Sequence, residues 1–233
     1  MRTKLLILVS ILSISGQCQM QALWRMNGNS NDAVNSYNGT DANVSYVAGI
    51  KDNCASFNGS SSVIDYGDVL DASTTAWTYS VWFLCSSSAA SIIGIMGKSV
   101  ETSAAARYMI IFVSSTSLYT GFICRSSTLY TATTTVTDCY DSKWHNIVLT
   151  ATRGGGGSMK TYLDSKLINT TTLTLDDGAM NCVYPVGIGA YRNSTNTAWK
   201  YWLNGRVDEA YMSNTVLTEG NVKNQYAYFK GFF

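Results

Sequence analysis

Charge is scarce in this chain. Only 13% of its 233 residues are Asp, Glu, Lys or Arg, and the formal net charge is +1. The basic residues are scattered, so no field exists to gather nucleic acid or an anionic membrane. Histidine occurs once, at His145, and glutamate only at Glu101, Glu209 and Glu219. A retaining glycosidase needs two carboxyl groups about 5 Å apart across the scissile bond. On a strand that calls for acids two residues apart, and no Glu-x-Asp-x-x-Glu segment occurs. Asp208-Glu209 and Asp176-Asp177 are neighbours, which regular strand geometry sends to opposite faces. No Gly-x-Ser-x-Gly elbow accompanies the lone histidine, which counts against a nucleophilic enzyme. Proline also occurs once, so the turns fall to Asn, Gly and Ser.

Long apolar runs are missing beyond the N-terminus. There, Arg2 and Lys4 precede an apolar stretch, Leu5 to Ile14, broken only by serines, and Gly16-Gln17-Cys18 follows. The stretch falls short of the roughly 20 apolar residues of a membrane span. Residues 1–19 therefore read as a signal peptide or an N-terminal anchor, and the product as exported. No Cys-x-x-Cys pair exists among Cys18, Cys54, Cys85, Cys124, Cys139 and Cys182, which argues against a zinc knuckle. Cys124 and Cys139 are closest in sequence and placed to staple neighbouring strands. Equally, the cysteines serve as small buried thiols.

What is abundant is Ser, Thr, Asn, Gly and aromatics, with 15 Tyr and 6 Trp. That mix favours strands and tight turns. Trp77 to Cys85 alternates, with Trp77, Tyr79, Val81, Phe83 and Cys85 on one face and Thr78, Ser80, Trp82 and Leu84 on the other. Both faces carry apolar residues, which predicts a central strand covered on each side. Trp144 to Ala151 alternates in the same way. Arg153 and the four glycines after it sit between two strands, Asn146–Thr152 and Met159–Leu163, and read as a hairpin loop. Only Leu217 to Tyr226 has helical character, with Thr218 as N-cap and Glu219 in the first turn. Residues 20–233 form one all-β unit in this reading, of a size that buries its own core.

Several segments, in order, resemble the laminin-G-like family of the concanavalin-like superfamily. They are Leu23-Trp24-Arg25-Met26-Asn27-Gly28-Asn29-Ser30-Asn31-Asp32, Ala55-Ser56-Phe57-Asn58-Gly59, Tyr79-Ser80-Val81-Trp82-Phe83, Trp144-His145-Asn146-Ile147-Val148-Leu149, and Lys160 through Leu167. Val186-Gly187-Ile188-Gly189-Ala190, Gly205-Arg206-Val207-Asp208-Glu209-Ala210 and Leu217-Thr218 complete the series. The resemblance implies a two-sheet antiparallel jelly-roll sandwich, concanavalin-like, with at most one short helix, and a structural place for His145. Ser165 stands where the family usually has Gly. The resemblance also implies a calcium (Ca2+) site linking the first loop to the late strand, with Asp32, Asn35 and Asp208 as ligands. The loop Asn27–Asn38 is rich in the oxygens calcium takes. The same side chains are also suited to bonding their own backbone as turn residues.

Sugars stack their C–H faces on aromatic rings while Asn, Asp and Arg bond the hydroxyls. Trp199, Tyr191, Arg192 and Asn193 have that composition, with Trp199 beside a polar loop tip. Filling a core is the commoner use of such aromatics. The sequence thus reads as a non-catalytic exported module recognising carbohydrate at a cell or particle surface. Its partner would be a glycan or surface glycoprotein, its location secreted, periplasmic or on a virion. The alternative is a structural or adhesion subunit of a surface assembly, such as a virion spike or matrix component. That subunit would act as a homo-oligomer or through protein contacts, and would touch a membrane only through an uncleaved N-terminal segment.

Overall fold

The computed structural model describes residues 20–71, 76–86, 92–100, 107–114, 116–123, 129–136, 139–152, 156–173 and 183–232. The expected leader, residues 1–19, lies outside them, as do Cys18, Cys124 and Cys182.

Two antiparallel sheets carry the described chain. The first runs in the order β13 (Lys166–Leu173), β12 (Gly157–Leu163), β11 (Trp144–Thr152), β6 (Ala76–Cys85), β17 (Asn204–Ser213), β4 (Asn53–Asn58) and β3 (Ser45–Ala48). Strand β17 is long enough to serve two neighbours on one side. Its Asn204–Val207 half pairs β4, and its Ala210–Ser213 half pairs β1 (Met20–Trp24). The second sheet runs β10 (Leu129–Thr135), β9 (Ser117–Ile123), β8 (Arg107–Ser114), β7 (Ile93–Lys98), β14 (Val186–Ile188), β5 (Val63–Asp65) and β2 (Thr40–Ala42). A two-residue-a-side hairpin, β15 (Tyr191–Arg192) with β16 (Trp199–Lys200), stands apart from both.

The alternation in β6 explains the layering. Trp77, Tyr79, Val81, Phe83 and Cys85 enter the core between the sheets, joined by Ile147, Leu149 and Ala151 from β11 and by Ile93, Ile95, Val186 and Ile188 from the second sheet. Tyr79 and Tyr108 stack across the gap at 3.8 Å between ring centroids. Thr120 and Thr161 bond hydroxyl to hydroxyl at 2.8 Å, also across it. Each large side chain so buried contributes roughly 2 kcal/mol of hydrophobic stabilisation.

The other face of β6 is covered by the one described helix, α1 (Glu219–Lys230). Thr218 Oγ1 caps it by accepting the Asn221 amide at 3.2 Å. The helix runs four residues beyond the Tyr226 limit expected from sequence. Its buried stripe, Val222, Gln225 and Phe229, explains the extra turn: the spacing of three and four keeps one face on the sheet. Phe229 meets Trp82 edge-on at 5.8 Å, and Tyr226 stacks on Trp82 at 5.3 Å. The polar positions of β6 hold the helix by hydrogen bonds. Gln225 Nε2 donates to Ser80 Oγ at 3.0 Å, and Tyr211 donates to Gln225 Oε1 at 2.7 Å. Thr78 Oγ1 accepts the Leu217 amide at 3.1 Å just ahead of the cap.

The glycine-rich stretch behaves as a hairpin connection, since β11 and β12 pair antiparallel up to Thr152 opposite Ser158. Residues 153–155 lie outside the described residues. Cys139 is buried, while Cys124 lies outside the described residues, and with it the sequence-adjacent pairing of Cys124 with Cys139.

Candidate functional site

The hairpin β15–β16 brings all four sequence-selected ligand residues together. It folds over the outer face of the second sheet, where two inward-facing runs are interrupted by glycine. Ile93, Ile95, Val186 and Ile188 point into the core, so Gly94 and Gly187 point outward. A Cβ on Gly94 would meet Tyr191 at 2.9 Å, and one on Gly187 would run into the Trp199 ring. These two bare positions let the hairpin lie directly on the sheet, with Gly94 donating its amide to Tyr201 O at 2.7 Å.

The four residues do not share one role. Tyr191 is buried, and its hydroxyl donates to Val100 O at 3.1 Å and pairs with Ser99 Oγ at 2.7 Å. It anchors the hairpin and presents no ring to a ligand. Asn193 closes the loop from within. Its Oδ1 accepts the amides of Thr197 and Ala198, and its Nδ2 donates to Thr197 Oγ1 at 3.0 Å. Trp199, opposite Arg192 in the register, is half-buried. The Arg192 guanidinium stacks 4.0 Å from its ring centroid. The ring expected as a bare platform is thus one layer of an arginine–tryptophan stack, and it is the absence of a side chain at Gly187 that seats it there. Arg192 Nη2 donates to Asp65 Oδ2 at 3.2 Å, while Asp65 Oδ1 accepts the Gly67 amide at 2.8 Å. Lys200 is exposed opposite Tyr191 in the register, with its Nζ 6.0 Å from the Tyr201 ring centroid. The surface that results at the stack carries a guanidinium edge, a carboxylate and an indole edge.

The three calcium candidates occupy separate networks. Asp32 Oδ1 accepts the amides of Leu23 and Val34, both at 3.0 Å, and Oδ2 that of Tyr37 at 3.3 Å. It locks its loop against β1 as a turn residue. Asn35 is exposed and donates to Gln21 O at 2.7 Å. It lines a cleft of about 590 Å3 with Met20, Gln21, Val34, Ser36 and Tyr37. Asp208 is fully buried in β17, with Oδ2 accepting the Ile50 amide and Oδ1 the Glu209 amide, both at 2.9 Å. Among the described residues, no group of three or more His, Cys, Asp or Glu is arranged to hold a metal ion. The Asp32 and Asp208 carboxylate oxygens accept backbone amides, while Asn35 engages Gln21 O through its Nδ2.

Sequence reading weighed Glu209 only as the neighbour of Asp208 and set aside a catalytic role for the pair. Glu209 sits at a bulge in β17 with φ of 44°, is 1% exposed, and neither carboxylate oxygen has a hydrogen-bond partner. Arg25 Nη1 lies 3.7 Å from Oε1. Burial, against the charges of Arg25 and Lys51, pushes the Glu209 carboxyl up to about 7. Burial, then the charge of Glu209, raises Asp208 to about 8, despite amides from Ile50, Glu209 and Lys51. Both acids are enclosed, so a glycosidic bond has no access to this pair. The adjacency of Asp208 and Glu209 was the only sign in the sequence. Asp65 gave no sign at all, lying 127 positions from Arg192.

His145 is held structurally, as the resemblance implied. Its Nδ1 pairs with Asp164 Oδ2 at 2.7 Å and its Nε2 with Asp141 Oδ1 at 3.2 Å.

A family model described as the concanavalin A-like lectin/glucanases superfamily, Laminin_G_3, matches residues 58–223. The chain belongs to this family. No curated protein sequence matches this laminin-G-like chain. Solved structures resemble it at low identity. The binding domain of Paraclostridial Mosquitocidal Protein 1 superposes with a TM-score of 0.69 at 16% identity, over 89% of this chain and 51% of that one. Domain 4 of AbnA, an extracellular arabinanase from Geobacillus stearothermophilus solved with arabinotriose, gives 0.66 at 16% identity, over 90% and 98%. The botulinum neurotoxin serotype D/C binding domain gives 0.68 at 13%, over 90% and 52%. The laminin-G-like chain spans about half the length of the toxin binding domains and nearly all of the arabinanase domain. These likenesses establish the jelly-roll fold.

Proposed function

We propose that this laminin-G-like chain is a non-catalytic, exported module that recognises carbohydrate through the β15–β16 hairpin. The observation that carries the reading is the Arg192–Trp199 stack, held by Asp65 and laid on Gly187 at the outer surface. Sugar hydroxyls take hydrogen bonds from a fixed guanidinium and give them to a carboxylate. The indole edge supplies apolar surface for the C–H groups. Because Asp65 offsets the charge of Arg192, the site favours uncharged hydroxyls over a free anion. Support comes from two directions: the family is one of lectins and glucanases, and the arabinanase domain of the same fold is recorded with arabinotriose. The enclosure of Asp208 and Glu209 supports the absence of catalysis. Among the described residues no helix is long and apolar enough to cross a membrane.

A glycan array probed with residues 20–233, with calcium and with chelator in parallel, tests this. The expected result is binding to one glycan class that falls at least about tenfold in Trp199→Ala and Arg192→Ala, with the unfolding midpoint of each variant retained within a few degrees. Loss of binding in chelator would restore a calcium role and direct attention to Asp208 and Glu209. A blank array under both conditions overturns the carbohydrate reading in favour of a structural subunit. Protein contacts would then be sought at the exposed end of α1, where Phe232 is 40% exposed beside Lys51.

A further inference from the structure

Three of the six cysteines lie in described residues, and all three are buried as thiols: Cys54, Cys85 and Cys139. Cys54 is occupied by the backbone of its own hairpin, with Sγ 3.5 Å from Ala48 O. Cys85 and Cys139 are placed differently. Cys85 is the last residue of β6 and continues the inward series Trp77, Tyr79, Val81 and Phe83. Residues 139–143, which lead into β11 of the first sheet, wrap the end of β6. Among them, Ser142 donates its amide to Cys85 O at 3.1 Å, and Trp144 then pairs with Leu84. Cys139 lies three residues ahead of Ser142, fully buried in the same core cluster as Cys85. The sulfurs feel one another. Burial raises the Cys85 thiol well above its usual range, and the charge Cys139 would carry is the next largest cause. Burial also raises Tyr140, followed by the charges of Cys85 and Cys139.

We propose that Cys85 and Cys139 form a disulfide that ties the end of β6 to the segment leading into β11, next to the base of the ligand hairpin. A low-molecular-weight disulfide such as oxidised glutathione is the oxidant. One cysteine thiolate attacks its S–S bond, giving a protein–glutathione mixed disulfide and releasing one glutathione thiolate. The second cysteine thiolate then attacks the protein sulfur and expels the second glutathione. Two thiols lose two protons and two electrons, and one oxidised glutathione becomes two reduced ones. The step belongs to folding. In the finished fold both sulfurs are enclosed and the Cys85 thiol resists ionisation, so neither exchange nor reduction proceeds at a useful rate. The position beside Leu203 and Asn204, which bond Gly189 O and the Ser86 amide, makes the bond a clamp below the hairpin.

The full chain is refolded from denaturant with oxidised and reduced glutathione, denatured again in iodoacetamide, digested and weighed. The expected result is a Cys85–Cys139 linked peptide two hydrogens lighter than the separate thiols and released by reductant, with Cys54 alkylated. The oxidised chain should also unfold about 5–10 °C above the reduced chain, and Cys85→Ser should abolish that difference. Three results each overturn the proposal: alkylation of both cysteines in the oxidised sample, a bond from Cys139 to any other cysteine, or glutathione remaining on either sulfur. The mass measurement uses the wild-type chain, so it is decisive even where Cys85→Ser fails to fold.

Discussion

His145 commits both ring nitrogens to carboxylates, and that makes its contribution depend on pH. Burial, the largest single influence, favours the neutral ring. The hydrogen bond and charge of Asp164, followed by those of Asp141, outweigh it and hold the imidazole above its usual 6.5. For Asp141, burial again opposes, while bonds from Lys143 and His145 keep the carboxyl below its usual 3.8. A base raised by folding stabilises fully below its unfolded value and loses that contribution as pH rises through the folded value. An acid lowered by folding stabilises fully above its unfolded value and loses it as pH falls. The clamp is therefore complete between the two ordinary values, 3.8 and 6.5. Replacing His145→Gln should cost about 1–2 kcal/mol near pH 5.5 and less by about pH 9. Urea unfolding of both proteins across that range measures it. A gap that stays constant from acid to alkali would show that the proton does not matter. The identity of these partners was only partly legible. Asp141 is four residues from His145, but Asp164 reaches it because Asp164 sits in the next hairpin turn with a positive φ of 49°. No periodicity encodes such a contact.

Elements were more readable than contacts. The two faces of β6 announced a strand covered on both sides, and the structure supplies the inter-sheet core on one and α1 on the other. Thr218 and Glu219 announced where the helix begins. Its end was not legible, because Phe229 extends the helix by docking on Trp82, a residue far upstream. Likewise the polar loop around Trp199 suggested an open ring, whereas its environment is fixed by Gly187 and Arg192 on other segments. Helix α1 is held chiefly by this docking, since its own sequence is only weakly helix-forming. Phe229→Ala should cost about 3 kcal/mol and lower the unfolding midpoint by about 10 °C. Glycan affinity, if the hairpin is the site, should be unchanged, because α1 and the hairpin lie on different sheets. Differential scanning calorimetry with a binding assay on the same variant separates the two effects.

At the scale of the molecule, the first sheet is shared. Its inner face belongs to the core with the second sheet, and its outer face belongs to the helix layer. Trp24 and Trp77 report on the inner core and Trp82 on the outer cluster. Losing the first sheet exposes both, so unfolding should be a single cooperative event. Tryptophan emission and far-ultraviolet circular dichroism should give superimposable transitions in urea. A helix layer that melts ahead of the sandwich would separate the curves and identify α1 as an independent unit.

Strand β17 carries one more consequence. It is the hub of the first sheet, bonded to β6 along one edge and to β1 and β4 along the other, yet it is made from residues 204–213. During synthesis, β6 and β4 leave the ribosome long before their common neighbour exists. The ladders they share with it wait until residues 204–213 have been made, and contacts of such sequence separation close slowly. A nascent chain of this kind can close the β3–β4 hairpin and pair β6 with β11 early, but the two halves of the first sheet are joined only when β17 arrives.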